Sequence, residues 1–257
     1  MPINKSSIIN RLEDQKGRPG FYFKNLVTGE TAAYNENDAY LAASVIKLPI
    51  FMELSRRDAA GTISMNDRLV VRNSDKVPIC GALTLFTDEP ECDIRTLCNL
   101  MISLSDNTAT NKLISFLGID EYNKGFAEMG LNVTKLRRML YDSEAGAKGL
   151  ENEITPKEMG MLLEQVYDRT FVNAEVSKKI EDTLMEQQIN HKIPGRWRED
   201  IPCAHKTGED DNITNDVALV YAKQPFILCF TGTDVDVPDY EDLIRHVSEE
   251  ILNECNR

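Results

Sequence analysis

The spacing of apolar residues predicts helices through most of the middle of the chain. There, apolar side chains recur every three or four positions in five successive segments, which is the period of one helix face. These segments are residues 93–105, 107–118, 120–130, 155–169 and 173–188. The same period predicts helices at residues 3–14 and 240–254, and one that begins at the capping residue Ser44 and ends at Gly61.

Strand-like runs lie near the two ends of the chain. Residues 20–35 read as a β-hairpin around Thr28 and Gly29, and three further apolar runs follow residue 195. Those runs are residues 201–208, 215–223 and 226–233. We expect the first and last parts of the chain to share one sheet, with the helical segments inserted between them.

This pattern predicts an α/β plus all-α fold. The domain prediction is a discontinuous α/β sheet domain of residues 1–60 and 195–257, and an all-helical domain of residues 61–194. The active site is expected between the two domains. Residues 133–154 are too irregular for one helix and long enough to form a functional loop.

Charge and hydropathy exclude several classes of partner. The formal net charge is −13, and a polyanion such as nucleic acid is repelled by acidic residues spread along the chain. No apolar stretch approaches the length of a membrane span, and no secretory signal is visible at the N-terminus. We therefore expect a monomer without nucleic-acid or membrane partners, cytoplasmic unless a leader has been trimmed.

The six cysteines form no C-x-x-C pair and have no histidine spacing that suits zinc. Isolated, mostly buried thiols are the expected state, which agrees with a reducing compartment. The sequence thus predicts neither a metal site nor a cofactor.

Three short motifs occur in order, each at a predicted element boundary. They are an S-x-x-K at Ser44–Lys47, an S-D-N at Ser105–Asn107 and a K-T-G at Lys206–Gly208. An S-x-x-K alone is expected by chance roughly once in a chain of this length, but the ordered triple only about once in a thousand. The triple therefore indicates a shared site.

Ser44 is the candidate nucleophile of that site. Residues three apart share a helix face, so Lys47 can reach the Ser44 hydroxyl and take its proton once its own charge is suppressed. A second ammonium from Lys206 lowers the pKa of Lys47 in the required direction. A helix N-terminus at Ser44 offers one backbone donor to a developing oxyanion, and the backbone of Glu209 offers the second.

The remaining motif residues suit proton transfer and substrate binding. Ser105 supplies a second hydroxyl that can pass a proton to a leaving nitrogen. Asn107 can donate to a substrate carbonyl while it accepts from a lysine. Lys206 and Thr207 offer a cation and a hydroxyl to a substrate carboxylate, and Gly208 lets an extended substrate lie against the strand.

Each motif also has a structural interpretation. Ser44 could be an N-cap, Ser105 and Asp106 a second cap, and the K-T-G a strand end. The structural interpretation requires three independent coincidences, so we favour the catalytic interpretation of the three motifs. Asp106 is the exception, and we interpret it as a helix cap. The histidines have neither a G-x-S-x-G partner nor a metal spacing, which argues against a histidine-based triad, although His205 can line the site beside Lys206.

On these motifs the chain resembles class A β-lactamases and their penicillin-binding relatives from about residue 20 to its end. The stretch SDNTATNKLI is particularly similar. The resemblance implies an antiparallel sheet flanked by helices, with an inserted helical domain and the active site between the two. It also implies a serine acyl-enzyme hydrolase that acts on a small β-lactam or acyl-D-amino peptide, with the roles above carried by Ser44, Lys47, Ser105, Asn107, Lys206 and Thr207.

One position departs from the family pattern. In class A β-lactamases, a glutamate two residues past the arginine of T-x-L-x-R activates the water that deacylates the enzyme. Here the arginine is Arg138, expected to tie the loop neck to Asn152 or a neighbouring acid, and Leu140 occupies the glutamate position. We therefore expect slow hydrolysis of β-lactams. The alternatives are a penicillin-binding D-amino-acid peptidase or esterase, and a β-lactam sensor without turnover.

Substitution of Ser44 by alanine is expected to abolish covalent labelling by a fluorescent penicillin. Ser44 is the only serine in the chain with a lysine three residues on. The Ser105→Ala variant is the matched control, expected to label more slowly and to remain folded. Labelling of Ser44→Ala at the unaltered rate, followed by gel fluorescence and intact mass, contradicts the assignment.

Overall fold

The computed structural model describes residues 3–257. Its helices are α1 (Lys5–Glu13), α2 (Lys47–Ala59), α3 (Ile94–Ser103), α4 (Asn107–Leu117), α5 (Ile119–Glu128), α6 (Ser143–Ala147), α7 (Pro156–Tyr167), α8 (Ala174–Met185) and α9 (Val237–Cys255). Its strands are β1 (Arg18–Asn25), β2 (Thr31–Tyr34), β3 (Tyr40–Leu41), β4 (Arg68–Val70), β5 (Glu91–Asp93), β6 (Glu153–Ile154), β7 (Cys203–Asp210), β8 (Ile213–Val220) and β9 (Phe226–Thr233).

Five strands pair antiparallel in the order β2-β1-β9-β8-β7. Strands from the two ends of the chain meet where β1 pairs with β9, with Phe21 opposite Phe230. Strand β7, which carries the K-T-G, lies at one edge of the sheet. The predicted antiparallel sheet flanked by helices, with further helices inserted along the chain, is confirmed.

Both faces of this sheet are buried, which explains the nearly continuous apolar runs. In β9, Phe226, Leu228 and Phe230 belong to one core with residues of α1 and α9. The alternating residues Ile227 and Cys229 belong to a second core with the inserted helices. Because side chains alternate along a strand, one sheet separates two cores.

Polar side chains fix where several of the helices begin. The side chain of the N-cap residue accepts a backbone hydrogen bond at the start of α3, α4, α7, α8 and α9. Those residues are Asp93, Asp106, Thr155, Asn173 and Asp236. Such caps satisfy amide groups that a helix leaves without partners.

The helix predicted from Ser44 divides into two parts. A short 3-10 turn at Ala43–Ile46 leads directly into α2, whose first nine residues are all buried. Pro49 lies in the first turn of α2, where a backbone amide has no partner within the helix, so the missing N–H of proline costs no helical hydrogen bond.

The segment 61–194 contains more than helices. Strands β4 and β5 pair with each other, and β6 pairs with β3. The all-helical description of this segment was therefore too simple, because runs of two or three residues are too short to produce a period along the sequence. The division into two domains stays a prediction.

Among residues 3–257, the structure has no helix that is both long and apolar enough to cross a membrane.

Replacement of Phe230 by alanine tests the contact between the two chain ends. Its fully buried ring lies 5.1 Å from the ring of Phe21, centroid to centroid. Loss of such a ring is expected to lower the free energy of unfolding by about 3–5 kcal/mol. The control is Phe86→Ala, at a ring 47% exposed, where a change within about 0.5 kcal/mol is expected. Urea unfolding with equal losses for both variants contradicts the prediction.

Candidate active site

The turn that carries Ser44 places this residue directly beside Lys47. Ala43, just before it, has a φ of 42°, so the chain turns sharply into the 3-10 turn. A 3-10 helix has three residues per turn, so side chains three positions apart eclipse each other. The Lys47 Nζ atom accordingly lies 2.9 Å from Ser44 Oγ.

The Lys47 amine contacts three of the other predicted site residues. Besides Ser44 Oγ, its Nζ contacts Asn107 Oδ1 at 2.7 Å, the Ser105 carbonyl at 2.8 Å and Ser105 Oγ at 3.0 Å. All of these acceptors are uncharged oxygens. Burial, followed by the charge of Lys206, holds the pKa of Lys47 well below its usual range. A neutral amine that can accept the Ser44 proton is thereby favoured.

Lys206 approaches the same hydroxyl from β7. Its Nζ lies 3.1 Å from Ser105 Oγ and donates to the Thr207 carbonyl at 2.7 Å. Burial lowers the pKa of Lys206 to about 7, and the nearby charge of Lys192 acts in the same direction, while Asp216 opposes it. The Ser105 hydroxyl therefore bridges two buried lysines.

The S-D-N loop is held by Asp106, as its expected role as a cap requires. Asp106 is fully buried, and its two carboxylate oxygens accept the backbone N–H groups of Ala109 at 2.8 Å and Leu83 at 2.9 Å. Ser105, next to it, has a φ of 55°, in the left-handed region. The interpretation of Asp106 as a cap is confirmed, and the cap aims the Ser105 hydroxyl at the lysines.

The K-T-G strand touches the turn of Ser44. A Cβ atom added at Gly208 would lie 3.0 Å from the Ala42 carbonyl oxygen and 3.1 Å from the Ser44 nitrogen. Only glycine fits this approach without displacing backbone. Thr207 is buried beside it, and the half-exposed side chain of Glu209 lines the open cleft.

A cleft of about 280 Å³ opens in front of Ser44. Asn107, Tyr141, Glu209 and Asp210 line it, together with Leu140. Of the predicted site residues, Ser44, Asn107 and Glu209 line the cleft. Lys47, Ser105 and Lys206 are buried behind it and are joined to Ser44 by hydrogen bonds.

Leu140 is fixed in the cleft wall by Asn111. The Leu140 N–H donates to Asn111 Oδ1 at 2.8 Å, and Asn111 Nδ2 donates to the Leu140 carbonyl at 2.9 Å. We had assigned no role to Asn111, although its position one helical turn after Asn107 was a usable signal. Two acids follow Leu140 closely in the sequence and could in principle replace the missing glutamate. Asp142 lines the cleft, but its side chain caps α6 by accepting from the Ala145 N–H, and Glu144 is not among the lining residues.

Arg138 joins the two ends of the loop at residues 133–154, as predicted. The Arg138 guanidinium contacts Glu151 Oε2 at 2.7 and 2.9 Å, and the Arg138 backbone exchanges hydrogen bonds with the Asn152 side chain. Both of the expected partners, Asn152 and a neighbouring acid, are present, so this prediction is confirmed.

His205 lies behind the site. Its ring is 1% exposed, with Nδ1 3.0 Å from Asp216 Oδ1 and Nε2 2.9 Å from Asn190 Oδ1. The expectation that it lines the site was wrong, because the ring is buried between Asp216 and Asn190 and does not reach the cleft. Asp216 and Lys192, which sequence reasoning missed, also lie in this layer, and no motif marks them.

One group of side chains has the residue types of a metal site. Ligand atoms of His191, Glu209 and Glu241 lie within 4.8 Å of one another. However, Lys192 Nζ is 3.1 Å from Glu209 and an Arg245 nitrogen is 3.6 Å from Glu241. These cations already compensate the carboxylates, so we assign no metal here. The absence of a metal or cofactor stays a prediction.

The antiparallel sheet, the inserted helices and the three motifs at one cleft define a β-lactamase-like hydrolase. A profile of the β-lactamase enzyme family matches residues 4–255, and the chain therefore belongs to that family.

Curated relatives have β-lactamase names and span most of the chain. The β-lactamase of Rhodobacter capsulatus is 27% identical over 237 residues, which cover 90% of this chain and 80% of the relative. β-Lactamase ROB-1 of Haemophilus influenzae is 26% identical over 246 residues, with coverage of 89% and 76%.

Solved structures share the whole fold. The β-lactamase from Sphaerobacter thermophilus superposes with a TM-score of 0.88 at 26% identity, covering 97% of this chain and 96% of that one. PBP-A gives a TM-score of 0.88 at 25% identity, with coverage of 97% and 94%. A leucine-to-glutamate mutant of PBP-A, in an acyl-enzyme complex with penicillin G, also scores 0.88, at 24% identity.

Proposed function

We propose that the protein is a serine acyl-transfer hydrolase that β-lactams acylate at Ser44 and that releases the product slowly. The observation that carries this proposal is the buried Lys47 amine, 2.9 Å from the Ser44 hydroxyl and with a lowered pKa. A serine hydroxyl is a weak nucleophile until a nearby base removes its proton. Lys47 is the group in the site best placed to do so.

Acylation begins when neutral Lys47 takes the Ser44 proton. Ser44 Oγ then attacks the lactam carbonyl carbon, and the carbonyl oxygen gains negative charge. The backbone N–H groups of Ser44 and Glu209 stabilise this oxyanion. One such donor is worth about 100- to 1,000-fold in rate.

The lactam C–N bond breaks in the next step. Ser105 gives its proton to the leaving nitrogen and regains one from Lys47, whose Nζ is 3.0 Å away. The net change is the transfer of one proton from Ser44 to the nitrogen, and both Lys47 and Ser105 return to their starting protonation states. The product is an ester on Ser44.

The substrate is held from both sides of the cleft. Lys206 and Thr207 bind its carboxylate, and Gly208 lets this part of β7 lie close to the turn of Ser44. One proton of Asn107 Nδ2 is donated to the Ile79 carbonyl at 2.8 Å, and the other is available to a substrate carbonyl.

Leu140 governs the fate of the ester. Its side chain lines the cleft at the position where class A β-lactamases have a glutamate, and it can neither accept a proton nor orient water. The acyl-enzyme therefore accumulates. The same feature favours the second candidate, a penicillin-binding peptidase or esterase of acyl-D-amino compounds, in which Lys47 or Lys206 serves as base for a more reactive ester. The remaining alternative, a β-lactam sensor without turnover, corresponds to an acyl-enzyme that is not hydrolysed at all.

The proposal extends to the binding partners of the protein. We propose a monomer that takes a small-molecule substrate and binds neither nucleic acid nor a membrane. The net charge of −13 is what supports the exclusion of nucleic acid.

Replacement of Leu140 by glutamate is expected to accelerate deacylation. General-base catalysis contributes about a hundred- to ten-thousand-fold, and the clamp of Asn111 on the backbone leaves the new carboxylate facing the cleft. Leu140→Gln is the matched control, since it has the same shape and no base. Decay of the adduct is followed by intact mass after stoichiometric penicillin. Loss of the adduct within seconds in the unaltered protein contradicts slow turnover.

Acylation by a carboxylate-bearing penicillin is expected to weaken as pH rises through about 7. Burial lowers the pKa of Lys206 to about 7, so its charge is lost above that pH. A hydrogen bond to a charged group contributes about 1.5–3 kcal/mol, or roughly 10- to 150-fold in acylation efficiency. The control is the penicillin methyl ester, which has no carboxylate. A constant ratio of the two acylation constants between about pH 6 and pH 8 contradicts this role of Lys206.

A further inference from the structure

Lys192 is a fully buried lysine that the mechanism above does not use. It lies in the segment between α8 and β7, and its side chain is 0% exposed. Its Nζ donates to the Gly208 carbonyl at 3.0 Å and to the Asn215 carbonyl at 3.2 Å. It also lies 3.1 Å from Glu209 Oε1. A buried ammonium on the K-T-G strand calls for a functional explanation.

The direction of the Gly208–Glu209 peptide is the key observation. Gly208 and Asn215 are opposite each other in the β7–β8 pairing, and Lys192 reaches both of their carbonyls. The Gly208 carbonyl therefore faces β8. Because the peptide is planar and trans, the Glu209 N–H points the other way, toward the free edge of the sheet.

Ser44 lies against the face of β7 near this edge, and both Ser44 and Glu209 line the cleft. A Cβ atom on Gly208 would be 3.1 Å from the Ser44 nitrogen, so this peptide unit is in contact with the turn of the nucleophile. The oxygen of this amide thus accepts a hydrogen bond from Lys192 on one side. Its N–H, which belongs to Glu209, points to the opposite side, toward the cleft.

An ammonium on a carbonyl oxygen strengthens the donor at the other end of the same amide. It draws electron density toward the oxygen, which leaves the N–H more positive. Chains of hydrogen bonds polarise one another by about 10–30% per bond, and a buried site with low effective dielectric increases the effect.

We propose that Lys192 is a positioning residue that polarises the Gly208–Glu209 amide and thereby strengthens the Glu209 N–H as an oxyanion donor. The proposal rests on the proposed function, in which that N–H stabilises the transition state. The Glu209 carboxylate, 3.1 Å from Lys192 Nζ, offsets part of the charge and so moderates the polarisation.

Lys192 also interacts with other charged groups near the site, so its removal changes the electrostatic potential at Lys206 as well as the amide. Glu241 lies 3.8 Å away, His191 shares the Glu209 carboxylate, and Lys206 feels the charge of Lys192. An activity measurement alone confuses polarisation of the amide with a changed charge on Lys206. A measurement at the acyl carbonyl separates them.

The test compares the acyl-enzymes of Lys192→Met and the unaltered protein by isotope-edited infrared spectroscopy of the ester carbonyl after reaction with penicillin G. Spectra are taken at about pH 5.5, where Lys206 keeps its proton. A weaker oxyanion donor is expected to raise the carbonyl stretching frequency and to slow acylation about tenfold, a fraction of the loss of a whole donor. Lys179→Met, at an exposed lysine of α8, is the control expected to change neither.

A second variant keeps the test valid if Lys192→Met does not fold. Glu209→Gln removes the offsetting carboxylate from a half-exposed side chain and leaves the backbone N–H in place. It is expected to lower the carbonyl frequency. Unchanged frequencies in every folded variant overturn the role of Lys192. Absence of any adduct in the unaltered protein instead overturns the proposed function.

Discussion

The structure depends on the burial of two lysines around one hydroxyl group. Lys47 and Lys206 are both fully buried, and the Nζ atoms of both reach Ser105 Oγ. Removing an ammonium from water costs several kcal/mol, and two of them repel each other as well. This cost is what lowers the pKa of Lys47, so the strain on stability and the readiness to take a proton have the same origin.

The rest of the fold holds this unfavourable arrangement in place. Helix α2 presents Lys47 from a wholly buried stretch, so the side chain has no route to water. Asp106 fixes the loop of Ser105 through two backbone N–H groups, and Gly208 lets β7 approach the turn of Ser44. Three separate parts of the chain therefore meet within hydrogen-bonding distance. A site assembled in this way is as rigid as the cores that carry it.

In the proposed mechanism, the two chemical steps depend on different parts of the fold. The groups proposed for acylation lie in the three motifs and at Glu209, whereas the proposed slow deacylation depends on one position in the loop between α5 and α7. Leu140 occupies that position, with its backbone held by Asn111. The loop thus places an apolar side chain in the cleft at the position where class A β-lactamases have a glutamate.

The sequence by itself determined the longer helices and strands and the motif residues of the candidate site. Helices such as α3 and α9 follow from a regular apolar period, the strands from their apolar runs, and Ser44, Lys47, Ser105 and Lys206 from motifs in which local spacing carries the chemistry. Leu140 also followed from its offset after Arg138.

Only the tertiary structure decided how these residues are charged and supported. The 3-10 turn at Ser44, the burial that lowers the pKa of Lys206 to about 7, and the contacts of Lys192 and His205 all depend on partners distant in sequence. The pairs β3–β6 and β4–β5 were likewise missed. Short range periodicity reports which face of an element is buried, but pKa values, strand pairing and the direction of a single amide are set by what packs against them.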